Sequence, residues 1–162
     1  MTTLTAHLKK RHLYHKDIIT SGDTTYFLLW NISGQLTGYQ QYKYLAPKKG
    51  KNPKELKYFT RGKGVWGLQY LNTKLSTMYV VEGVFDAVRL HNLGLNCIAV
   101  LGNSPKPLKT WLNTLSYKTI AVCDGDRAGR ALSKCADTSI CLPEGEDLGS
   151  LDEETIKKLL DL

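Results

Sequence analysis

The sequence has no apolar stretch long enough to cross a membrane. A membrane-spanning helix needs roughly 20 predominantly apolar residues, whereas the apolar residues of this chain, 42% of its 162 positions, are divided among short runs. The first residues also lack a basic start followed by an apolar core, so we expect no secretory signal. These absences exclude a membrane partner and favour a cytoplasmic protein.

Cysteine and histidine are scarce, and their spacing argues against a zinc site. No two of the four cysteines have the Cys-x-x-Cys spacing of a structural zinc site. Three of them lie in apolar runs, which is typical of buried reduced thiols. No cysteine or carboxylate is placed to complete a site with the early histidines, so we expect these to be surface or DNA-facing residues rather than ligands; they are His7, His12 and His15.

Acidic residues are scarce in the first half of the chain. Residues 1–77 contain 13 Lys or Arg against 3 Asp or Glu, a net charge of +10, whereas residues 78–162 contain 9 against 12, a net charge of −3. This segregation indicates two functional parts with a boundary between residues 77 and 78. The first part is suited to holding a polyanion and the second to holding metal.

The basic first part has the pattern of a small β-rich lobe. Leucines four apart predict a helix over 4–14, and runs rich in aromatic residues predict an antiparallel hairpin over 24–30 and 35–45. A further short strand is expected at 57–60, between two basic loops. Basic loops interleaved with aromatic residues suit single-stranded nucleic acid, although the core of a small sheet explains the early aromatic residues equally well.

The second part alternates apolar runs with helical segments. Strands are predicted over 78–82, 95–101, 118–123 and 138–142, with helices between them and a final helix capped by Ser150. Alternation of this kind implies a parallel sheet with right-handed crossovers, flanked by helices. The predicted fold class is therefore α/β for this part.

Carboxylates directly follow two of the predicted strands. Glu82 ends the first strand, and Asp124 and Asp126 follow the third, with Gly125 between them. Because the carboxyl ends of parallel strands meet at one edge of a sheet, we expect these side chains to lie together. Three carboxylates in one place repel each other unless a cation lies among them. An oxygen-only set favours Mg²⁺ or Mn²⁺ over zinc.

Several short motifs resemble those of the toprim domain, which DNA primases, topoisomerases and some nucleases share. The toprim-like motifs are Glu82-Gly-x-x-Asp86-Ala, Asp124-Gly-Asp126-x-Ala-Gly and Pro143-x-Gly-x-Asp147. Earlier motifs resemble those of bacterial and phage DNA primases; they are Gly34 to Tyr39, Lys57-Tyr58-Phe59 and Val65 to Leu68. The resemblance implies a toprim Rossmann-like four-stranded parallel sheet at 78–162, preceded by a basic β-rich primase-type lobe at 1–77.

The resemblance also implies roles for the acidic residues. Glu82, Asp124 and Asp126 would be catalytic and, together with Asp147, would hold Mg²⁺ or Mn²⁺. Glu82 is either a metal ligand or the base toward the attacking 3′-hydroxyl. Asp86 would orient a neighbour or fix its turn.

Two further sets of residues complete the predicted site. The nucleotide-binding and DNA-binding set consists of Lys43, Lys57, Tyr58, Arg61 and Lys63. The supporting set consists of Gly83, Asp86, Gly125, Arg127 and Arg130. The two arginines of that set either assist the metal site or are ordinary surface residues.

The activity that the resemblance implies is that of a DNA primase catalytic core. Such a nucleotidyltransferase makes RNA primers on single-stranded DNA from ribonucleoside triphosphates, here in phage or mobile-element replication within a bacterial host cell. A replicative helicase and a separate zinc-binding, template-recognition polypeptide are candidate partners. The alternatives are a toprim nuclease acting on RNA or DNA, and a non-catalytic nucleic-acid-binding replication module. The primase-like residues before the toprim motifs favour the first interpretation over a nuclease, and the intact acidic motifs favour it over a non-catalytic module.

Overall fold

A computed structural model of the chain describes residues 3–14, 18–102 and 105–162, apart from the side chains at 105, 106 and 128. It divides into two compact units, Met1–Gln69 and Tyr70–Leu162. His15 and residues 103–104, which follow the second predicted strand, lie outside the described residues. The functional division at residues 77 and 78 stays a prediction.

The first unit contains a four-stranded antiparallel sheet with the strand order β1-β2-β3-β4. The antiparallel pairing of β2 with β3 confirms the predicted hairpin. The elements are α1 Leu4–Lys10, β1 Ile19–Ser21, β2 Thr24–Trp30, β3 Leu36–Lys43, a short 3-10 helix Pro53–Glu55, β4 Tyr58–Gly62 and a second 3-10 helix Leu68–Tyr70. Strand β1 was not predicted, because its three residues are all exposed and carry no alternating pattern.

One face of this sheet forms the core of the first unit. Thr25, Phe27 and Leu29 alternate along β2 and are at most 2% exposed. Across the sheet, Tyr42 of β3 is equally buried, and burial raises the pKa of its hydroxyl to about 12. The ring of Phe27 meets that of Trp66 edge to face at 6.1 Å. This alternation explains why the run from Thr24 to Trp30 folds as a half-buried strand.

Helix α1 ends earlier than predicted and is attached to the sheet through His7. The chain leaves the helix after Lys10, and His12 takes a left-handed conformation with φ of 61°. His7 is partly exposed, and its Nε2 also lies 2.7 Å from the hydroxyl of Tyr42, a contact that its place in the sequence did not indicate. Burial and then the charge of Arg11 lower the pKa of the imidazole, so His7 packs as a neutral ring.

The second unit is a parallel sheet flanked by helices, as the alternating pattern predicted. Its strand order is β6-β5-β7-β8, and all three strand pairs are parallel. The elements are β5 Thr77–Val81, α2 Val84–His91, β6 Cys97–Ala99, α3 Pro105–Leu112, β7 Lys118–Cys123, α4 Arg127–Ser133, β8 Thr138–Cys141 and α5 Glu153–Leu160. Strands β5 and β6 are apolar and almost fully buried on both faces, which is the usual state of a parallel sheet.

The predicted cap of the last helix was wrong by two residues. Asp152, not Ser150, is the N-cap of α5, and its side chain accepts a hydrogen bond of 2.8 Å from the amide of Thr155. Ser150 is instead engaged in the preceding turn, where its amide donates to Asp147 Oδ1 at 2.8 Å. An aspartate and a serine two residues apart can both cap a helix, and tertiary context decided between them.

Among the helices in 3–14, 18–102 and 105–162, none combines the length and the apolar composition that a membrane crossing requires.

Candidate functional site

The parallel sheet brings two acidic residues to one edge. Strands β5 and β7 are neighbours, with Val80 opposite Ala121. Glu82 directly follows the last residue of β5, and Asp124 directly follows the last residue of β7. Both residues therefore lie at the carboxyl edge of the sheet, where open α/β folds bind their ligands. Each of the two side chains is half-buried.

A close backbone contact holds the turn at 143–147 beside the same edge of the sheet. The amide of Gly125 donates to the carbonyl of Glu146 at 3.2 Å. A Cβ on Gly125 would lie 2.8 Å from the Cα of Glu144 and closer still to the carbonyl of Pro143. Only glycine fits this gap. The contact places Asp147, at the end of the turn, within electrostatic range of Asp124.

Asp126 has a structural role that the sequence interpretation missed. It is the N-cap of α4, and its Oδ1 accepts a hydrogen bond of 2.8 Å from the amide of Gly129. This bond fixes the orientation of the carboxylate. Gly129 is also sterically required, since a Cβ there would lie 2.9 Å from the amide nitrogen of Asp124. The second glycine of the Asp-Gly-Asp-Arg-Ala-Gly segment, three residues after Asp126, was the sequence feature that could have indicated this cap.

The four carboxylates repel one another. Burial, followed by the negative charges of Glu82, Asp147 and Asp126, raises the pKa of Asp124 to about 6. Burial and the charge of Asp126 likewise raise the pKa of Glu82. The two shifts agree that these groups form one cluster of like charge. Such a cluster costs free energy in the absence of a cation and becomes favourable when a cation is bound.

The donor chemistry of this cluster fits Mg²⁺ or Mn²⁺. Within the described ranges, no three His, Cys, Asp or Glu side chains are arranged to hold a metal ion by themselves. Mg²⁺ keeps several waters and is commonly held by one or two carboxylates plus substrate phosphates, so a complete protein cage is not required. The four side chains of the cluster supply carboxylate oxygens, the kind of ligand atom that Mg²⁺ prefers. The predicted ligands are thus brought near one another without forming a closed set.

The supporting residues occupy the helix starts beside this edge. Gly83 is the N-cap of α2, and Asp86 lies in its first turn, with its Oδ2 3.0 Å from where a Cβ of Gly83 would be. The charge of Asp86 acts on the buried thiol of Cys97, whose pKa is raised mainly by burial. Arg127 and Arg130 are exposed on α4. Ion pairs in the described part of the chain join Lys157 to neighbouring glutamates, so neither arginine is paired there.

The predicted nucleic-acid contacts lie on and around strand β4 of the first unit. Arg61 and Lys63 are exposed. Tyr58 is 40% exposed, and its ring lies 5.0 Å from that of the buried Tyr42. Lys43 ends β3 and donates from Nζ to the carbonyl of Lys54 at 3.1 Å. The structure distributes this set over both faces of the sheet, since Tyr58 and Arg61 differ by an odd number of residues along the strand.

Comparison with known proteins agrees with this architecture. Residues 79–148 match a family described as Toprim-like. An uncharacterised protein of Mycoplasma pneumoniae, the MG010 homologue, is 29% identical over 76% of this chain and 64% of its own length. The DNA primase of Escherichia coli is 32% identical over 73% of this chain and 22% of its own length. This chain therefore spans less than two thirds of each relative.

Solved structures of primase catalytic domains share the fold. The structure of the DnaG primase catalytic domain bound to single-stranded DNA superposes with a TM-score of 0.62 and 22% identity. The match covers 95% of this chain and 57% of that chain. It thereby includes both the antiparallel and the parallel sheet. Residues 79–148 therefore belong to the toprim-like family, within a chain that is similar over most of its length to the catalytic cores of DNA primases.

Proposed function

We propose that the chain is the catalytic core of a DNA primase, a nucleotidyltransferase that makes short RNA primers on single-stranded DNA during phage or mobile-element replication. The main observation in support is that carboxylates from separate segments of the chain lie at one edge of a toprim-like sheet. Glu82 and Asp124 come from neighbouring parallel strands, and Asp147 comes from the turn packed on Gly125. The similarity to DNA primases supplies the reaction class.

The acidic edge would hold Mg²⁺ or Mn²⁺ and the triphosphate of the incoming ribonucleotide. When bound, the cation neutralises negative charge on the phosphoryl group that is transferred. Asp124 and Asp126 are the proposed direct ligands. Asp126 enters this role with one carboxylate oxygen already held by the helix cap, so its other oxygen is the free donor. Asp147 is the proposed outer or additional ligand.

Glu82 has two candidate roles in the same reaction. It either completes the metal site or accepts the proton of the attacking 3′-hydroxyl. Its half-buried position beside Asp124 is compatible with both roles. If Glu82 is a base, its replacement by glutamine should lower metal affinity only slightly, through the lost charge, whereas the loss of a direct ligand should lower it strongly. A calorimetric titration of Glu82→Gln with Mn²⁺ separates the two.

The basic first part would hold the template and the triphosphate. Its net charge of +10 over residues 1–77 suits a polyanion. Lys43, Lys57, Arg61 and Lys63 are the proposed phosphate contacts, with Tyr58 beside them. The single-stranded DNA bound to a primase catalytic domain of the same fold supports this partner. A helicase and a separate zinc-binding polypeptide are proposed as further partners.

One assay tests the proposal against its alternatives. Wild-type protein is incubated with single-stranded DNA, the four ribonucleotides and Mg²⁺ or Mn²⁺, beside Glu82→Gln and Asp124→Asn. Asp161→Asn is the matched control, because it removes one negative charge at the left-handed C-cap of α5, where asparagine is well tolerated. Short RNA products that disappear in the first two variants and persist in the control support the proposal.

Two other outcomes would replace it. Degradation of the nucleic acid without synthesis, lost in the same two variants, identifies a nuclease. Binding of single-stranded DNA that neither variant changes, without any product, identifies a non-catalytic module.

A further inference from the structure

The sheet of the first unit has one covered face and one face that carries partly exposed aromatic rings. Side chains alternate between the two faces along each strand. On the covered face, Phe27, Leu29, Gln40 and Tyr42 are all less than a tenth exposed. The opposite face, called the open face here, belongs to the residues between them. Its central members are Tyr26, Leu28, Tyr39, Gln41, Phe59 and Arg61.

The strand register arranges the open face in two rows. Ile19, Tyr26, Gln41 and Phe59 are consecutive partners across all four strands. Leu28, Tyr39 and Arg61 form the next row. Every one of these side chains is at least partly accessible; Ile19 is 50% exposed and Arg61 is exposed. Three aromatic rings and one guanidinium thus share an accessible surface.

The two tyrosines of the open face meet edge to face. Their ring centroids lie 5.8 Å apart with an interplanar angle of 67°. In this arrangement the ring that presents its edge keeps both of its flat surfaces outside the pair. The flat surfaces of Tyr26 and Tyr39 are therefore not stacked on each other. At the end of the face near Lys43, the side chains of Gln41 and Lys43 both donate to the carbonyl of Lys54, so the 3-10 helix Pro53–Glu55 bounds the face on that side.

Charge decides which partner suits this surface. An apolar protein partner would not require a guanidinium among the rings or a surrounding part with a net charge of +10 over 1–77. A single-stranded nucleic acid requires both, because its bases stack on rings while its phosphates meet basic groups. A duplex keeps its base faces stacked within itself and cannot use the rings in this way.

We infer that the open face, centred on Tyr26, Tyr39, Phe59 and Arg61, is a stacking platform for unpaired bases of a single-stranded nucleic acid. This inference deepens the proposed function and rests on its assignment of the basic part to nucleic-acid binding. It places the base contacts on the face opposite Tyr58. The rings supply sequence-tolerant stacking, and Arg61 holds the adjacent phosphate.

Binding by fluorescence anisotropy tests the platform. The probes are a labelled oligothymidylate, an abasic oligomer of the same length and charge, and a duplex, each measured with the full chain over a range of salt concentrations. The variants Tyr39→Leu and Phe59→Leu remove a ring and keep apolar volume. Tyr14→Leu is the control, since this tyrosine is 61% exposed and lies outside the sheet.

The platform predicts a specific pattern of affinities. Each ring variant weakens binding of the oligothymidylate by about tenfold and leaves binding of the abasic oligomer unchanged. Arg61→Gln lowers the salt slope by about 0.7, the value for one phosphate contact on a single strand. Wild-type protein binds the oligothymidylate more tightly than either the abasic oligomer or the duplex, a comparison that needs no variant.

Other results would overturn the inference. Equal affinity of wild type for the base-bearing and abasic oligomers excludes stacking. Ring variants that bind normally but change the oligomeric state in sedimentation identify the open face as a contact between copies of this chain. Because primer synthesis is not the readout, a failure of the proposed polymerising activity leaves this binding result standing, and the reverse also holds.

Discussion

The carboxylate cluster should destabilise the metal-free fold, and Asp124→Asn should relieve part of that cost. A raised carboxyl pKa means that the folded state holds its proton more tightly than the unfolded state does. The penalty is therefore absent below the ordinary value of 3.8 and complete above the folded value of about 6. At neutral pH the metal-free protein carries the full penalty, and asparagine at this position removes it.

The size of the effect follows from the pKa of Asp124. The rise from 3.8 to about 6 corresponds by linkage to at most about 3 kcal/mol. The side chain is only half-buried, so water screens its interactions, and we expect about 1 kcal/mol. Mg²⁺ should act in the opposite direction, by raising the stability of wild type and leaving that of Asp124→Asn nearly unchanged.

Hydrogen exchange at the amides of β5 and β7 measures this stability in the full chain and reports on the second unit alone. Wild type, Asp124→Asn and the control Asp161→Asn are compared in chelator at pH 7 and pH 4, and again with Mg²⁺ at pH 7. The variant should be more protected than wild type at pH 7, and the difference should shrink to a small fraction of that value at pH 4. Equal or lower protection of the variant at pH 7, with no gain from Mg²⁺ in wild type, would refute the reasoning.

Three further predictions follow from other contacts. Gly125→Ala should cost about 2 kcal/mol and abolish metal binding, because the added Cβ meets the backbone of the 143–147 turn. Asp152→Ala should cost about 1 kcal/mol by loss of the α5 cap, whereas Ser150→Ala should leave that helix intact. Lys57→Gln combined with Arg61→Gln should weaken single-strand binding and reduce its salt slope by about 0.7 per lost phosphate contact.

Control variants with the same type of substitution separate these specific effects from general effects of mutation. Gly50→Ala controls for Gly125→Ala, because its Cβ would meet only a flexible leucine side chain at 3.2 Å. Chemical denaturation and a Mn²⁺ titration compare the two, and equal behaviour would contradict the proposed close packing. Lys158→Gln is the charge control in the binding assay, since this lysine is exposed on α5. A salt slope unchanged by the double variant would remove the basic strand from the binding surface.

The parallel sheet could be predicted because its strands are short apolar runs separated by helical segments. The burial of these strands follows from their local composition. Val80 and Ala121, for example, lie in continuous apolar runs that fold as strands buried on both faces. The position of Glu82 and Asp124 at one edge followed from the strand ends. Their roles as metal ligands and catalytic groups stay predictions.

What could not be predicted depends on long-range contacts or on a choice between equivalent local signals. The bond from His7 to Tyr42 joins residues 35 positions apart, and nothing in the local sequence of α1 indicates it. Asp126 is a helix cap because α4 begins at the next residue, Arg127. This role could not be predicted, because the exact ends of helices are the least reliable part of a sequence prediction. The strand register was also needed to assign each aromatic residue of the first sheet to one of its two faces, because a shift of one residue moves every side chain to the opposite face.

The central claim is that the acidic edge of the toprim-like sheet performs nucleotidyl transfer on a single-stranded template. The most direct measurement is incorporation of labelled ribonucleotide on single-stranded DNA with Mg²⁺, for wild type, Glu82→Gln, Asp124→Asn and the control Asp161→Asn. We predict template-dependent RNA from wild type and the control, and a loss of at least about 100-fold in the first two variants. Incorporation that survives in Asp124→Asn at the wild-type rate would contradict the claim.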